Sequence, residues 1–136
     1  MTASTVLAKG TTLEVESASS GVYVTIDEVV GFSGPGGSAK VIDQTNLQST
    51  RKEKKMGLPD EGQFSIDMNF DSADAGQTRL KYLRDNQVLG AFRVTYANGT
   101  IDTFNGYVLE FTTSGTLDDL LKAKATIEIT GAVTRV

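Results

Sequence analysis

Residues 46–77 read NLQSTRKEKKMGLPDEGQFSIDMNFDSADAGQ, and three patterns follow one another there. The first, Asn46–Gly62, is charged and almost free of core-forming residues. It closes on the sharply defined segment Gly57-Leu58-Pro59-Asp60-Glu61-Gly62. Loops of that length without their own secondary structure are uncommon in compact domains and are usually functional or disordered. The defined end favours a loop that docks on something. The second pattern alternates Phe64, Ile66, Met68 and Phe70 with Ser65, Asp67 and Asn69. Period two predicts a half-buried strand with its apolar side to a core. In the third, Ala73, Gly76, Leu80 and Leu83 recur at helical spacing, which predicts a helix over 71–86. Asp71 or Ser72 is its expected N-cap, and Asp74 adds favourable charge at its start. Gln77, Lys81 and Arg84 fall off the apolar stripe. Gly76 costs about 1 kcal/mol of helix propensity, so a glycine on the stripe points to close approach of helix and sheet.

Outward from this stretch the chain reads as strands. Thr11–Glu16 alternates around Leu13 and Val15. Gly21–Gly31 is a second candidate, with Val22, Val24 and Ile26 on one face and Tyr23 and Thr25 on the other. Ser33-Gly34-Pro35-Gly36-Gly37 is a loop, and Lys40–Leu47 is a third strand candidate. Ala91–Tyr96 and Thr100–Phe104 flank Asn98-Gly99, the preferred pair for a two-residue type I′ hairpin. That turn would set Tyr96 opposite Ile101, Val94 opposite Thr103 and Arg93 opposite Phe104. Tyr107, Leu109 and Phe111 alternate with Val108 and Glu110, and Gly106 is a candidate bulge. Ser114–Asp119 is turn-like. The last strand has Ala123, Ala125, Ile127, Ile129 and Val133 on one face and Lys124, Thr126, Glu128 and Thr130 on the other. About seven strands and one helix predict a mainly β (α+β) fold. Its form is an antiparallel β-sandwich or partly closed barrel with one flanking helix, a single domain over 1–136 with a flexible 1–9 segment.

Composition removes whole classes of chemistry. The 136 residues include no cysteine, histidine or tryptophan. Disulfides, thiolate metal sites and the commonest general base are therefore absent. The net charge is −4, and Arg51-Lys52-Glu53-Lys54-Lys55 alone contributes +3, leaving −7 on the remainder. An acidic body argues against phosphate-backbone binding, whereas a short basic cluster suits an acidic surface on a partner. The N-terminus does not read as a signal peptide, and no run approaches the roughly 20 apolar residues of a membrane span. The expected compartment is cytoplasm-like.

No residue set reads as catalytic. Asn98-Gly99-Thr100 fits a glycosylation pattern, but the hairpin turn explains it better. Asp71-Ser72-Ala73-Asp74 and Asp118-Asp119 lack the pattern of a calcium loop and read as a helix cap and a solvated turn. Ser33–Gly37 lacks the lysine and following helix of a phosphate loop. Tyr23, Tyr82, Tyr96 and Tyr107 form no basic-aromatic platform. Neither cofactor nor metal is expected.

The chain resembles the lambda-type tail tube proteins of long, non-contractile-tailed phages. The resemblance rests on Lys54-Lys55-Met56-Gly57-Leu58-Pro59-Asp60-Glu61-Gly62, Phe64, Phe70 and Asp74-Ala75-Gly76-Gln77. It continues through Phe92-Arg93-Val94, Asn98-Gly99-Thr100, Phe104-Asn105-Gly106-Tyr107-Val108 and Ala125–Gly131, so it spans nearly the whole chain. It implies a β-sandwich with a flanking helix, six subunits per ring, and rings stacked into a tube around a tape measure protein. DNA would later pass through the lumen. Further implied partners are tail terminator and tail tip proteins, with no membrane contact. The location would be the virion tail, assembled in the host bacterial cytoplasm. The immunoglobulin-like C-terminal domain of some members is not expected, since the chain stops at Val136.

Two residue sets carry this expectation. Arg51, Lys52, Lys54 and Lys55 would pair with acidic neighbours, Met56 and Leu58 would fill an apolar notch, and Asp60 and Glu61 belong to the same inter-subunit or inter-ring loop. Asp67, Glu110 and Glu128 alternate with core positions and are the candidate lumen-facing acids, on a wall that DNA would slide past. Competing readings are a ring protein of a related contractile injection or secretion tube, a small-ligand β-barrel with a deep apolar cavity, and a carboxylate-based hydrolase.

Overall fold

Leu13 and Val15, Phe64, Ile66 and Met68, Phe92 and Val94, and Ala123, Ala125, Ile127 and Ile129 recur at every second position, and all are buried. Period two places each set on one face of a strand, and pairing those strands makes one continuous apolar face. The computed structural model describes residues 10–48 and 50–136; the 1–9 segment lies outside the described residues. Among these are nine strands and one helix. They are β1 (Thr12–Glu16), β2 (Tyr23–Thr25), β3 (Val29–Ser33), β4 (Ser38–Asp43), β5 (Lys54–Asp60), β6 (Gln63–Asn69), α1 (Ala75–Asn86), β7 (Gly90–Thr95), β8 (Ile101–Ser114) and β9 (Lys122–Arg135).

Seven strands form one antiparallel sheet in the order β2-β1-β7-β8-β9-β6-β3, and β4 pairs with β5 alone. The sheet rolls around its apolar face. Phe64 and Phe104 lie on strands separated by β9, yet their ring centroids are 5.3 Å apart, and Phe32 on edge strand β3 comes within 6.5 Å of Tyr96. The roll stays open, with β2 and β3 as its edges. The mainly β architecture with one flanking helix is the one expected from sequence.

Helix α1 closes the core with Gly76, Gln77, Leu80 and Leu83. A Cβ at Gly76 would stand 2.5 Å from the Thr25 carbonyl oxygen and 2.6 Å from Ile26 Cα, so the glycine is what lets the helix approach the backbone beyond β2. The helix starts later than its periodicity suggests. Asp74, not Asp71 or Ser72, is the N-cap, its carboxylate accepting from the Gln77 amide at 2.9 Å. Asp71 and Ser72 belong to the preceding turn, where the Asp71 carboxylate accepts from the Ala73 amide. Gln77, expected off the apolar stripe, is buried because its amide is fully used. Nε2 donates to the Asp27 and Asn69 carbonyls and Oε1 accepts from the Asp71 amide.

Other expectations are corrected. Gly21–Gly31 is two strands, broken where Glu28 takes a left-handed φ of 64°. The third strand ends at Asp43, not Leu47. The Asn98-Gly99 hairpin is real, but Tyr96 pairs with Thr100 and only Gly99 has positive φ. The loop is therefore three residues with a left-handed third position. The register slips by one, to Thr95 opposite Ile101 and Phe92 opposite Phe104. Gly106 is not a bulge; β8 shifts register at Phe104 and Leu109 instead. Alternation runs unbroken on the core side from Asp102 through Phe104 and Gly106 to Val108, so Tyr107 and Leu109 face outward.

Candidate assembly surfaces

The stretch that looked like a structureless loop is half of a β-hairpin arm. Lys54–Asp60 forms β5, with Val41 opposite Met56 and Asp43 opposite Lys54. Proline and glycine are poor strand residues, so Gly57 and Pro59 hid this strand. β5 has a single partner, and the missing proline N–H is tolerated on such an edge. The roots of the arm cross closely: a Cβ on Gly37 would collide with Asp60 and Glu61, and one on Gly62 with Gly36. Asp60 Oδ1 accepts from the Gly62 amide at 2.9 Å, fixing the turn into β6. At the other end, Gln44 donates to the Glu53 carbonyl at 2.7 Å, Thr45 Oγ1 accepts from the Glu53 amide, and the Asp43 carboxylate accepts from the Thr45 amide. The Thr45 hydrogen bonds hold the Asp43 carboxyl below its ordinary range.

The arm stands off the body. Every described residue of β4 and β5 is exposed except Ala39 and Gly57, which are half-buried. Val41, Met56 and Leu58 are 58%, 72% and 93% exposed. An isolated two-stranded hairpin is marginal in water, and this one presents apolar side chains to solvent. The predicted site residues fall into four parts of it. Arg51 and Lys52 lie at the tip, Lys54 and Lys55 open β5, and Met56 and Leu58 occupy its middle. Asp60 and Glu61 sit at the root, beside Tyr107 and Glu128.

The three candidate acids share one outward face of the sheet. Cross-strand rows place Asp67 with Lys124 and Thr112, Ser65 with Thr126 and Glu110, and Gln63 with Glu128 and Tyr107. Gln63 Nε2 donates to Glu128 at 3.0 Å. Lys122, whose Nζ donates to Asn69 Oδ1, also lies on this side, so the face mixes charges.

One polar cluster was missed from sequence. Asp102 is fully buried and accepts from Arg135 Nε at 2.7 Å, Arg135 Nη2 at 2.8 Å and the Tyr96 hydroxyl at 2.8 Å. Its signal was available: Asp102 is in phase with Phe104, Gly106 and Val108. The Arg135 guanidinium holds the Asp102 carboxyl below the usual carboxylate range, and burial and Asp102 push the Tyr96 hydroxyl up. On the β1–β7 side, Arg93 pairs with Glu14 at 2.7 Å and its guanidinium lies 4.3 Å from the Tyr23 ring centroid. Among the described residues no cluster of three or more His, Cys, Asp or Glu could hold a metal, and no helix is long and apolar enough to cross a membrane.

A rolled, open antiparallel sheet with one flanking helix is a fold that recurs among chains of solved phage-like tails. The chain is similar to one in the helically refined, C6-symmetric tail of an empty gene transfer agent particle. The TM-score is 0.80 and the identity 16%, covering 96% of this chain and 98% of that one. It is similar to the SPP1 tail tube (TM-score 0.72, 11% identity, 96% of this chain and 78% of that one). It is also similar to a chain of the anti-feeding prophage baseplate (TM-score 0.75, 7% identity, 99% and 97% covered). The model of the lambda-like phage tail tube proteins matches residues 4–103, and the chain belongs to that family. Among curated protein sequences none matches it. The family is a structural one.

Proposed function

We propose that the protein builds the wall of a virion tail tube by adding copies of itself, six to a ring and ring upon ring. The arm is the observation that carries this reading. Its charged tip and exposed Val41, Met56 and Leu58 have no partner surface within the described part of the subunit. Contacts between unlike surfaces repeat indefinitely, so one kind of subunit suffices for a tube. The sixfold ring is supported by the C6 symmetry of the similar gene transfer agent tail. The arm basic residues Arg51, Lys52, Lys54 and Lys55 pair with acids of a neighbour, and Met56 and Leu58 enter an apolar notch.

In this reading the tube encloses a tape measure protein, ends at terminator and tip proteins, and later conducts DNA. It is assembled in the bacterial cytoplasm and performs no catalysis. Asp67, Glu110 and Glu128 line the bore. With the chain at −4 net, the wall repels DNA and lets it slide. The lysines on the same face moderate that repulsion without reversing it.

Electron microscopy of concentrated purified protein tests the reading. Rings or tubes of uniform bore are expected. Persistent monomers that take up apolar small molecules would overturn it in favour of a ligand-binding barrel.

A further inference from the structure

An apolar groove lies at the end of the body remote from the arm. Phe70, Leu120 and Leu121 line it, together with Glu28, Asn69 and Asp71. The Phe70 amide donates to the Leu121 carbonyl at 2.8 Å and the Asn69 amide to the Glu28 carbonyl, so the backbone of the groove is fixed. Leu120 and Leu121 are 63% and 55% exposed, and Leu117 in the preceding turn is 99% exposed. We propose that this groove receives the β4–β5 arm of a second copy of the chain. The inference rests on the reading of the arm as an assembly element and names the surface it meets.

Three observations select that occupant. The first is charge. The groove is rimmed by Glu28 and Asp71, with Asp27, Asp118 and Asp119 in the adjoining turns. None of these acids takes part in the ion pairs of the described residues. The Asp27 carboxyl is held above its ordinary range by its hydrogen bond with Asp74 and by Asp74's charge, a sign of crowded negative charge. The arm carries the complementary cations, Arg51, Lys52, Lys54 and Lys55.

The second observation is chemistry of surface. Leu120 and Leu121 offer exposed aliphatic area, and Met56 and Leu58 offer the same on the arm. Opposite charge at the rim with apolar contact at the centre is the usual anatomy of an interface.

The third is position. The arm leaves the body where β3 ends and β6 begins, near Ser33 and Gln63, whereas the groove lies at the other end of the same strand pair, near Val29 and Asn69. Seven residues of β6 separate the two sites, a span of about 20 Å at strand rise. A donor at one end and an acceptor at the other produce a head-to-tail contact, which propagates from copy to copy.

The absence of cysteine makes the contact testable by cross-linking. The exposed pair Leu58→Cys and Leu120→Cys is placed in one chain, assembled tubes are oxidised, and denaturing gels are run. A ladder of covalent multimers is expected, and an equal mixture of the two single variants should stop at dimers. Tubes that give no ladder with Leu120→Cys, or that give one with Leu58→Cys and Tyr107→Cys instead, overturn the groove as acceptor. A charge test reads the same contact without thiols. Glu28→Lys with Asp118→Lys should abolish tubes while the monomer stays folded by circular dichroism. Combining it with Arg51→Glu and Lys52→Glu in one chain should restore them. Unimpaired tubes from the acceptor variant overturn the groove alone. Unimpaired tubes when only the arm charges are reversed overturn the underlying reading of the arm.

Discussion

Asp102 and Arg135 are joined by two parallel hydrogen bonds of 2.7 and 2.8 Å, at the point where the last strand meets the start of β8. Beside them Val136 and Ile101 exchange backbone hydrogen bonds in both directions, at 2.9 and 3.2 Å. A carboxylate on the apolar face is costly unless it is paired and hydrogen-bonded. The arginine fork and the Tyr96 hydroxyl supply that compensation, and together they hold the end of β9 on the sheet.

Removing the fork leaves Asp102 with the tyrosine alone. Arg135→Ala is expected to lower the urea midpoint, by an amount limited by the exposure of the arginine. The pair also sets an acid dependence. The folded-state pKa of Asp102 lies below its unfolded value. Its contribution is thus complete above the ordinary carboxylate value of about 4 and is lost as pH falls through the depressed one. Asp27 has the opposite sign, its contribution being lost as pH rises through its raised value, and its side chain lies at the surface. Urea midpoints at neutral pH and near pH 3 should therefore fall less for Asp102→Asn than for the native chain. Parallel losses would contradict the assignment.

Gln77 ties three elements together through one amide. Gln77→Leu keeps the volume but strands two carbonyls and one amide in a partly buried corner. A loss of about 2–4 kcal/mol is expected, since each unmet group costs on the order of 1 kcal/mol or more. Chemical denaturation measures it, and a neutral result would mean that water satisfies the corner.

Gly76→Ala pits two effects against each other. Alanine gains about 1 kcal/mol of helix propensity. Its methyl would meet the Thr25 carbonyl at 2.5 Å, and overpacking of that kind costs about 1–3 kcal/mol. The melting temperature should fall. A rise would show that the helix can lift from the sheet without loss.

Legibility in the sequence followed the strength of periodicity. Phe64–Met68 and Ala123–Ile129 alternate without interruption, and both strands stand where the pattern put them. β5 was invisible because Lys54, Lys55, Gly57 and Pro59 break the pattern, and because an arm with no core face has no alternation to show. Tertiary hydrogen bonding, not propensity, buried Gln77. A single residue in the turn decided the hairpin register: Asn98 keeps negative φ and its Oδ1 accepts from the Thr100 amide, so Gly99 alone supplies the left-handed step. The basic and apolar residues of the arm were picked out by type and spacing. The Glu28–Leu121 groove was not, because its residues come from three distant segments and meet only in the fold.

The central claim is that the arm drives assembly. Its most direct test is electron microscopy of a variant with Arg51, Lys52, Lys54 and Lys55 all changed to glutamate, beside the native protein at equal concentration. The side chains point into solvent, so the variant should fold, each exposed substitution changing stability by no more than about 0.5 kcal/mol. The account predicts tubes from the native chain and only folded, unassembled subunits from the variant. Tubes of normal length and bore from the variant would contradict it.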